Sequence, residues 1–176
     1  MRRRCGSGRR EGAEEEAPGP GPFAAVRVLR EVAWVDRARI AAVGWSHGGW
    51  TTLWALVRQG EHPAERQRAA ITFYPACTDN PGWRDAPPLL MLLGARDDWT
   101  SPTRCARLAE RMRLAGQPVE VVTYPNAQHG FDDAGLRRPV TVRDARGGRG
   151  ATIAYDPAAH ADARVRVREF LRRVLR

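Results

Sequence analysis

The chain has 176 residues, 43% of them hydrophobic and 28% charged, a length and balance that suit one soluble domain with a sizeable core. No unbroken apolar stretch approaches the roughly 20 residues of a membrane-spanning helix, so a membrane partner is not expected. Three cysteines without a C-x-x-C pair exclude a finger-type zinc site and a disulfide framework. The formal charge of +9 suggests nucleic acid, but all 29 basic residues are arginine, beside abundant Ala, Gly and Pro. Proteins that grip phosphate backbones mix lysine and arginine on one face, so nucleic acid is not the expected partner.

Residues 1–22 mix Arg and Glu runs with Gly and Pro and read as a disordered tail containing Cys5. Arg2, Arg3 and Arg4 are followed by no apolar core of a signal peptide, so the chain as written is expected to be cytoplasmic. A periplasmic or secreted location would require a different N-terminus.

The domain is expected over residues 23–176. Residues 23–34 have helical spacing, closed by Val35 and Asp36. Residues 40–43 form a short apolar run, expected to be a strand buried on both faces. Residues 48–59 read as a largely apolar helix with Gly60 at its C-terminal cap. Strands are expected over 69–74 and 89–93, stopped by Pro75 and Gly94. Residues 101–115 form an amphipathic helix, opened by Ser101 and Pro102 and ended by Gly116. A fourth strand covers 119–124, and an Arg-rich helix covers 157–175. Strands alternating with helices predict a parallel sheet, whose reactive groups lie just after the strand C-terminal ends.

Three such points carry chemistry. After the first strand stands Gly44-Trp45-Ser46-His47-Gly48, a G-x-S-x-G running directly into a helix. That is the setting of a nucleophile elbow, in which both glycines are expected to avoid a Cβ clash in the tight turn. The helix N-terminus would favour a developing oxyanion. After the third strand, Asp97 and Asp98 each offer an acid able to orient an imidazole, and the residues leave the choice open. After the fourth strand, His129 suits a general base near neutral pH. The order Ser, Asp, His on successive strands matches a hydrolase arrangement.

From about Val35 to its end the chain resembles the C-terminal half of dienelactone hydrolase family proteins, which have the α/β-hydrolase fold. The resemblance rests on RIAAVGWSHGG, LLMLLGARDDWTSPTRC, VEVVTYPNAQHGFD and GATIAYDPAAHADARVRVREFL. It implies Ser46 as nucleophile, Asp97 as acid, His129 as base, the backbone N–H of His47 as an oxyanion donor, and no cofactor or metal. Asp97 is preferred because the family's acid lies three residues after the glycine that ends the strand, here Gly94. Named dienelactone hydrolases use cysteine as nucleophile, so Ser46 places the chain among serine-bearing relatives and argues against a dienelactone substrate. The implied activity is a serine esterase cleaving a carboxylic ester or lactone.

The resemblance implies a partial α/β-hydrolase: about four parallel strands flanked by helices, with the first half of the sheet and the second oxyanion donor absent. The alternative is a truncated, inactive fragment acting at most as an interaction module. The strand at 40–43 would then have a bare edge open to self-association. Cys77 and Cys105 are expected to approach each other: a disulfide would fit an exported relative, while the lack of an export signal favours a pair of buried free thiols. His62 and His160 are expected at the surface. Arg146-Gly147-Gly148-Arg149-Gly150 looks like a single RGG element or a flexible loop.

Overall fold

Buried strands in a parallel sheet need helices on both faces, and the computed structural model shows that arrangement. It describes residues 21–78 and 85–176. The expected tail lies outside these residues up to position 20, while Gly21 and Pro22 already form the first turn of helix α1 (Gly21–Glu31). The elements that follow are β1 (Ala41–Trp45), α2 (His47–Val57), β2 (Ala69–Phe73), β3 (Leu89–Gly94), α3 (Pro102–Leu114) and β4 (Val119–Tyr124). Then come β5 (Val140–Val142), a single turn α4 (Ala145–Gly148), β6 (Ala151–Ile153) and α5 (Pro157–Val174). Strands β1 to β4 form one sheet in the order β1-β2-β3-β4, every pair parallel.

The period-2 alternation of strand side chains divides the core into two layers. Leu89, Met91 and Leu93 of β3 face Leu53 and Leu56 of α2 and Leu108 and Met112 of α3. Leu90 and Leu92 face the other way, joining Ile71 and Phe73 of β2, Phe131, and Ala163 and Phe170 of α5. Every residue of β2 and β3 is buried. Complete burial of a Leu or Ile side chain is worth about 1.5–3 kcal/mol, which makes this sheet centre the main source of stability.

The edge strand departs from expectation. Strand β1 is not buried on both faces: Val43 is 39% and Trp45 46% exposed. Helix α5 packs across β2 and β3, so among the described elements only α2 covers β1 well. Helix α1 stops at Glu31, three residues before the expected end, and Trp34 lies in solvent. Gly60 is not a helix cap either. Helix α2 closes at Arg58, and Gly60 falls inside a following 3-10 turn, Gln59–Glu61.

The cap signals at α3 and α5 operate locally. Ser101 Oγ accepts from Arg104 N, and Gly116 leaves α3 with φ +74°. Asp156 accepts from the backbone of Ala158 and Ala159 ahead of Pro157. The antiparallel β5–β6 hairpin has no counterpart in the sequence reading, because three-residue strands are too short for a period to register. The RGG stretch supplies α4, where Arg146 and Gly147 both take positive φ.

Cys77 and Cys105 are joined in a disulfide, which corrects the expectation of free thiols. The bond ties the segment after β2 to the first turns of α3. His62 and His160 are half-buried, not surface residues: His62 stacks on Phe23 at 3.8 Å, and His160 lies 3.3 Å from Tyr155 Oη. Cys5 lies outside the described residues.

Candidate active site

Ser46 sits between β1 and α2 with φ 51° and ψ −117°, a conformation that costs a non-glycine residue roughly 1–3 kcal/mol. Its N–H is held by Phe73 O at 3.0 Å, so the neighbouring strand pins the turn. A Cβ on Gly44 would stand 2.2 Å from Gly48 O and 2.5 Å from Thr52 Oγ1, so only glycine fits. The second glycine of the motif is different. A Cβ on Gly48 would meet nothing within 4 Å, and the tight approach falls instead at Gly49, 2.8 Å from Pro75 Cβ. The expectation that both motif glycines avoid a clash therefore holds for Gly44 alone.

His129 follows β4 in a loop drawn against the end of β3. Arg96 N donates to Ala127 O at 2.9 Å, and a Cβ on Gly94 would press within 2.6 Å of that same oxygen. Glycine at the strand end thus lets the two loops touch. Ala154 N, after β6, donates to His129 O and fixes the loop from its far side.

The structure brings Ser46, His129 and Asp97 into one line. Ser46 Oγ lies 2.9 Å from His129 Nε2, and His129 Nδ1 lies 2.8 Å from Asp97 Oδ2. The histidine and aspartate side chains are 5% and 2% exposed. With Nδ1 protonated toward Asp97, Nε2 is left to accept from the serine hydroxyl. Asp97 Oδ1 accepts from the backbone of Trp99 and Thr100, at 2.8 and 2.9 Å. The Thr100 hydroxyl lies 2.8 Å from Oδ2 and 3.1 Å from Tyr74 O. These donors satisfy the acceptor oxygens of a buried carboxyl group.

Asp98 points elsewhere. Its two oxygens accept from the backbone N and hydroxyl of Thr152, at 2.8 and 3.3 Å, so it anchors β6. His47 opens α2, which sets its backbone N–H at the positive end of the helix dipole beside Ser46. The His47 imidazole packs toward Trp50, ring centroids 5.1 Å apart.

Sequence reasoning missed four side chains that frame the imidazole. Tyr74 and Trp99 flank its ring at 4.6 and 4.9 Å. Asp132 takes hydrogen bonds from Tyr74 Oη at 2.6 Å and Trp45 Nε1 at 2.7 Å. Burial first, then this bond and the charge of Asp132, push the Tyr74 hydroxyl well above the usual tyrosine range. Thr100 is the fourth, and the spacing Asp97-x-x-Thr100 was its available signal, since an aspartate commonly binds the backbone two and three residues on. Among the described residues, no group of three or more His, Cys, Asp or Glu side chains is placed to share a metal ion.

Residues 8–175 match the model of the dienelactone hydrolase family. The chain belongs to that family. Solved structures agree on the fold. One is a dienelactone hydrolase-like promiscuous phosphotriesterase, P91, from metagenomic libraries, with a TM-score of 0.68 and 22% identity over 88% of this chain and 60% of that one. A thermophilic esterase of the planctomycete Thermogutta terrifontis, bound to propionate, gives a TM-score of 0.64 and 22% identity over 87% of this chain and 63% of that one. The α/β hydrolase enzyme MGS-M1 from a Medee basin deep-sea metagenome library gives 0.62 and 19%, over 92% and 68%. The dienelactone hydrolase family chain described here thus spans about three fifths to two thirds of the length of these relatives.

Proposed function

We propose that this dienelactone hydrolase family protein is a serine hydrolase that cleaves a carboxylic ester or lactone through an acyl-enzyme on Ser46. The observation that carries the reading is the unbroken hydrogen-bonded line from Ser46 through His129 to Asp97. His129 Nε2 takes the hydroxyl proton as Ser46 Oγ attacks the carbonyl carbon. Asp97 holds the tautomer and stabilises the imidazolium that forms. The oxyanion develops beside the His47 N–H, where the helix dipole favours negative charge. His129 then gives the proton to the departing alkoxide, and water cleaves the acyl-enzyme by the same route. The esterase and phosphotriesterase named among the structural neighbours support an ester-type substrate, a small molecule with an electrophilic centre.

Two further readings rest on single observations. The edge of β1, with Val43 and Trp45 exposed, supports self-association of two copies through the strand at 40–43. The Cys77–Cys105 disulfide supports an oxidising compartment over the cytoplasm. No described helix is long and apolar enough to cross a membrane.

The test is p-nitrophenyl acetate hydrolysis by the purified, folded chain beside Ser46→Ala. Saturable turnover lost in the variant is expected, together with covalent labelling of Ser46 by a fluorophosphonate. A folded chain with neither would sink the enzyme reading and favour an inactive interaction module.

A further inference from the structure

The relay occupies the C-terminal ends of the strands. At their opposite ends lies a second cavity, of about 430 Å³, bordered by the residues leading into β1, β2 and β3 and by the end of α1. Among the described residues, four arginines line it, Arg30, Arg37, Arg66 and Arg68, against a single carboxylate residue, Asp85.

Several of these groups lack a neutralising partner. Arg30 Nη1 donates to Ala64 O and Nη2 to Arg66 O, while Arg66 Nη2 donates to Asp85 O at 3.1 Å. Those acceptors are backbone carbonyls, which orient a guanidinium and leave its charge uncompensated. Glu65, the neighbouring carboxylate, is taken by Arg27 at 3.0 Å. Among the described residues, Arg37 and Arg68 have no carboxylate within ion-pair distance.

A second observation points to a ligand. Gln67 lines the same cavity, is only 4% exposed, and its Oε1 has no hydrogen-bond partner among the described residues. Arg30 Nε is likewise buried and unpartnered. Buried polar atoms in folded chains are almost always hydrogen-bonded, so two unmet ones beside one cavity mark groups suited to a ligand. The pair comprises one donor and one acceptor in a field of positive charge. A multivalent oxyanion that keeps one protonated oxygen meets both: its free oxygens take the guanidinium N–H groups, and its P–OH donates to Gln67.

We propose that this arginine-lined cavity is a binding site for a phosphate-class oxyanion, a phosphomonoester or diphosphate, at the N-terminal ends of the strands, opposite Ser46. Arginine forks match tetrahedral phosphate oxygens bidentately, and four of them suit more than a single negative charge.

Calorimetric titration of the full chain with sodium pyrophosphate at fixed ionic strength tests it, with citrate as the carboxylate comparison. Saturable one-to-one binding of pyrophosphate, tighter than citrate, is expected. Arg37→Gln with Arg68→Gln should weaken it at least tenfold, since neither side chain holds the fold through a described bond and circular dichroism should remain unchanged. Amide exchange should slow at residues 37–38 and 66–68 when pyrophosphate is added to the native chain. Absence of saturable binding, equal affinity in the double variant, or tighter citrate binding would each overturn the assignment.

Discussion

Trp45, on the edge strand, donates its indole N–H to Asp132, a residue 87 positions later in the loop that also carries His129. The other oxygen of that carboxylate takes the Tyr74 hydroxyl, whose ring lies against the imidazole. Asp132 therefore joins the residue before Ser46, the residue after β2 and the histidine loop. Its described hydrogen bonds go to Trp45 and Tyr74, and under the proposed mechanism it is a positioning residue. Asp132→Asn should lower kcat on p-nitrophenyl acetate about 3- to 30-fold with KM little changed, because an amide presents an N–H to one of the two donors. An unaltered kcat in a folded variant would remove the positioning role.

The adjacent aspartates should separate cleanly. Asp97→Asn leaves His129 in the wrong tautomer and should cut turnover by on the order of 10⁴-fold. Asp98→Asn keeps the relay and loosens only the Thr152 anchor. Its expected signature is a stability loss of about 1 kcal/mol with kcat within a few-fold of the parent. Parallel denaturation curves and rates on the two variants check the assignment.

Alanine at the two motif glycines should act in opposite directions. At Gly44 the new methyl meets backbone, and a loss of about 3 kcal/mol or more is expected. At Gly48, on the opening turn of α2, the space is open and alanine should raise stability by up to about 1 kcal/mol. Thermal melts of both variants decide it; equal melting temperatures would contradict the reading.

The Cys77–Cys105 bond closes a loop with a sequence separation of 28. Loop-closure entropy for that length corresponds to about 3–4 kcal/mol. Cys77→Ala with Cys105→Ala should therefore lower the denaturation midpoint markedly, and dithiothreitol should do the same to the parent chain.

Two tyrosines should make the protein sensitive to alkali. Burial foremost, and then hydrogen bonds to Asp132 and Asp162, push Tyr74 and Tyr124 well above the usual range. Unfolded tyrosine ionises near pH 10, so above that point the unfolded chain binds fewer protons than the folded one. Stability from these groups is complete below about pH 10 and falls as pH rises further. Guanidinium midpoints at pH 8 and 11, with Tyr74→Phe and Tyr124→Phe flattening the decline, provide the check.

The parts of this molecule legible in its sequence are those set by local rules. The boundaries of β4 follow from an apolar run ended by Pro125, and both ends of α3 follow from Ser101-Pro102 and Gly116. The elbow was legible because G-x-S-x-G between strand and helix is a covalent-distance pattern. What escaped depends on neighbours distant in the chain. The exposure of β1 is decided by where α5 crosses the sheet, and the need for glycine at 49 by the placing of Pro75. Choosing between Asp97 and Asp98 by geometry required knowing where Thr152 ends up. The disulfide is not legible from the tail's lack of an export signal, because the proximity of the two sulfurs is a property of the packed core.

Ser46 and His129 stand 83 residues apart and belong to opposite edges of a four-stranded sheet, while Asp97 comes from a strand between them. No local fragment can assemble these three groups; each strand must be docked before the hydroxyl gains its acceptor. Under the proposed mechanism, serine reactivity gauges how many molecules have completed the sheet, and the rate at which it appears after dilution from denaturant times the last strand to arrive.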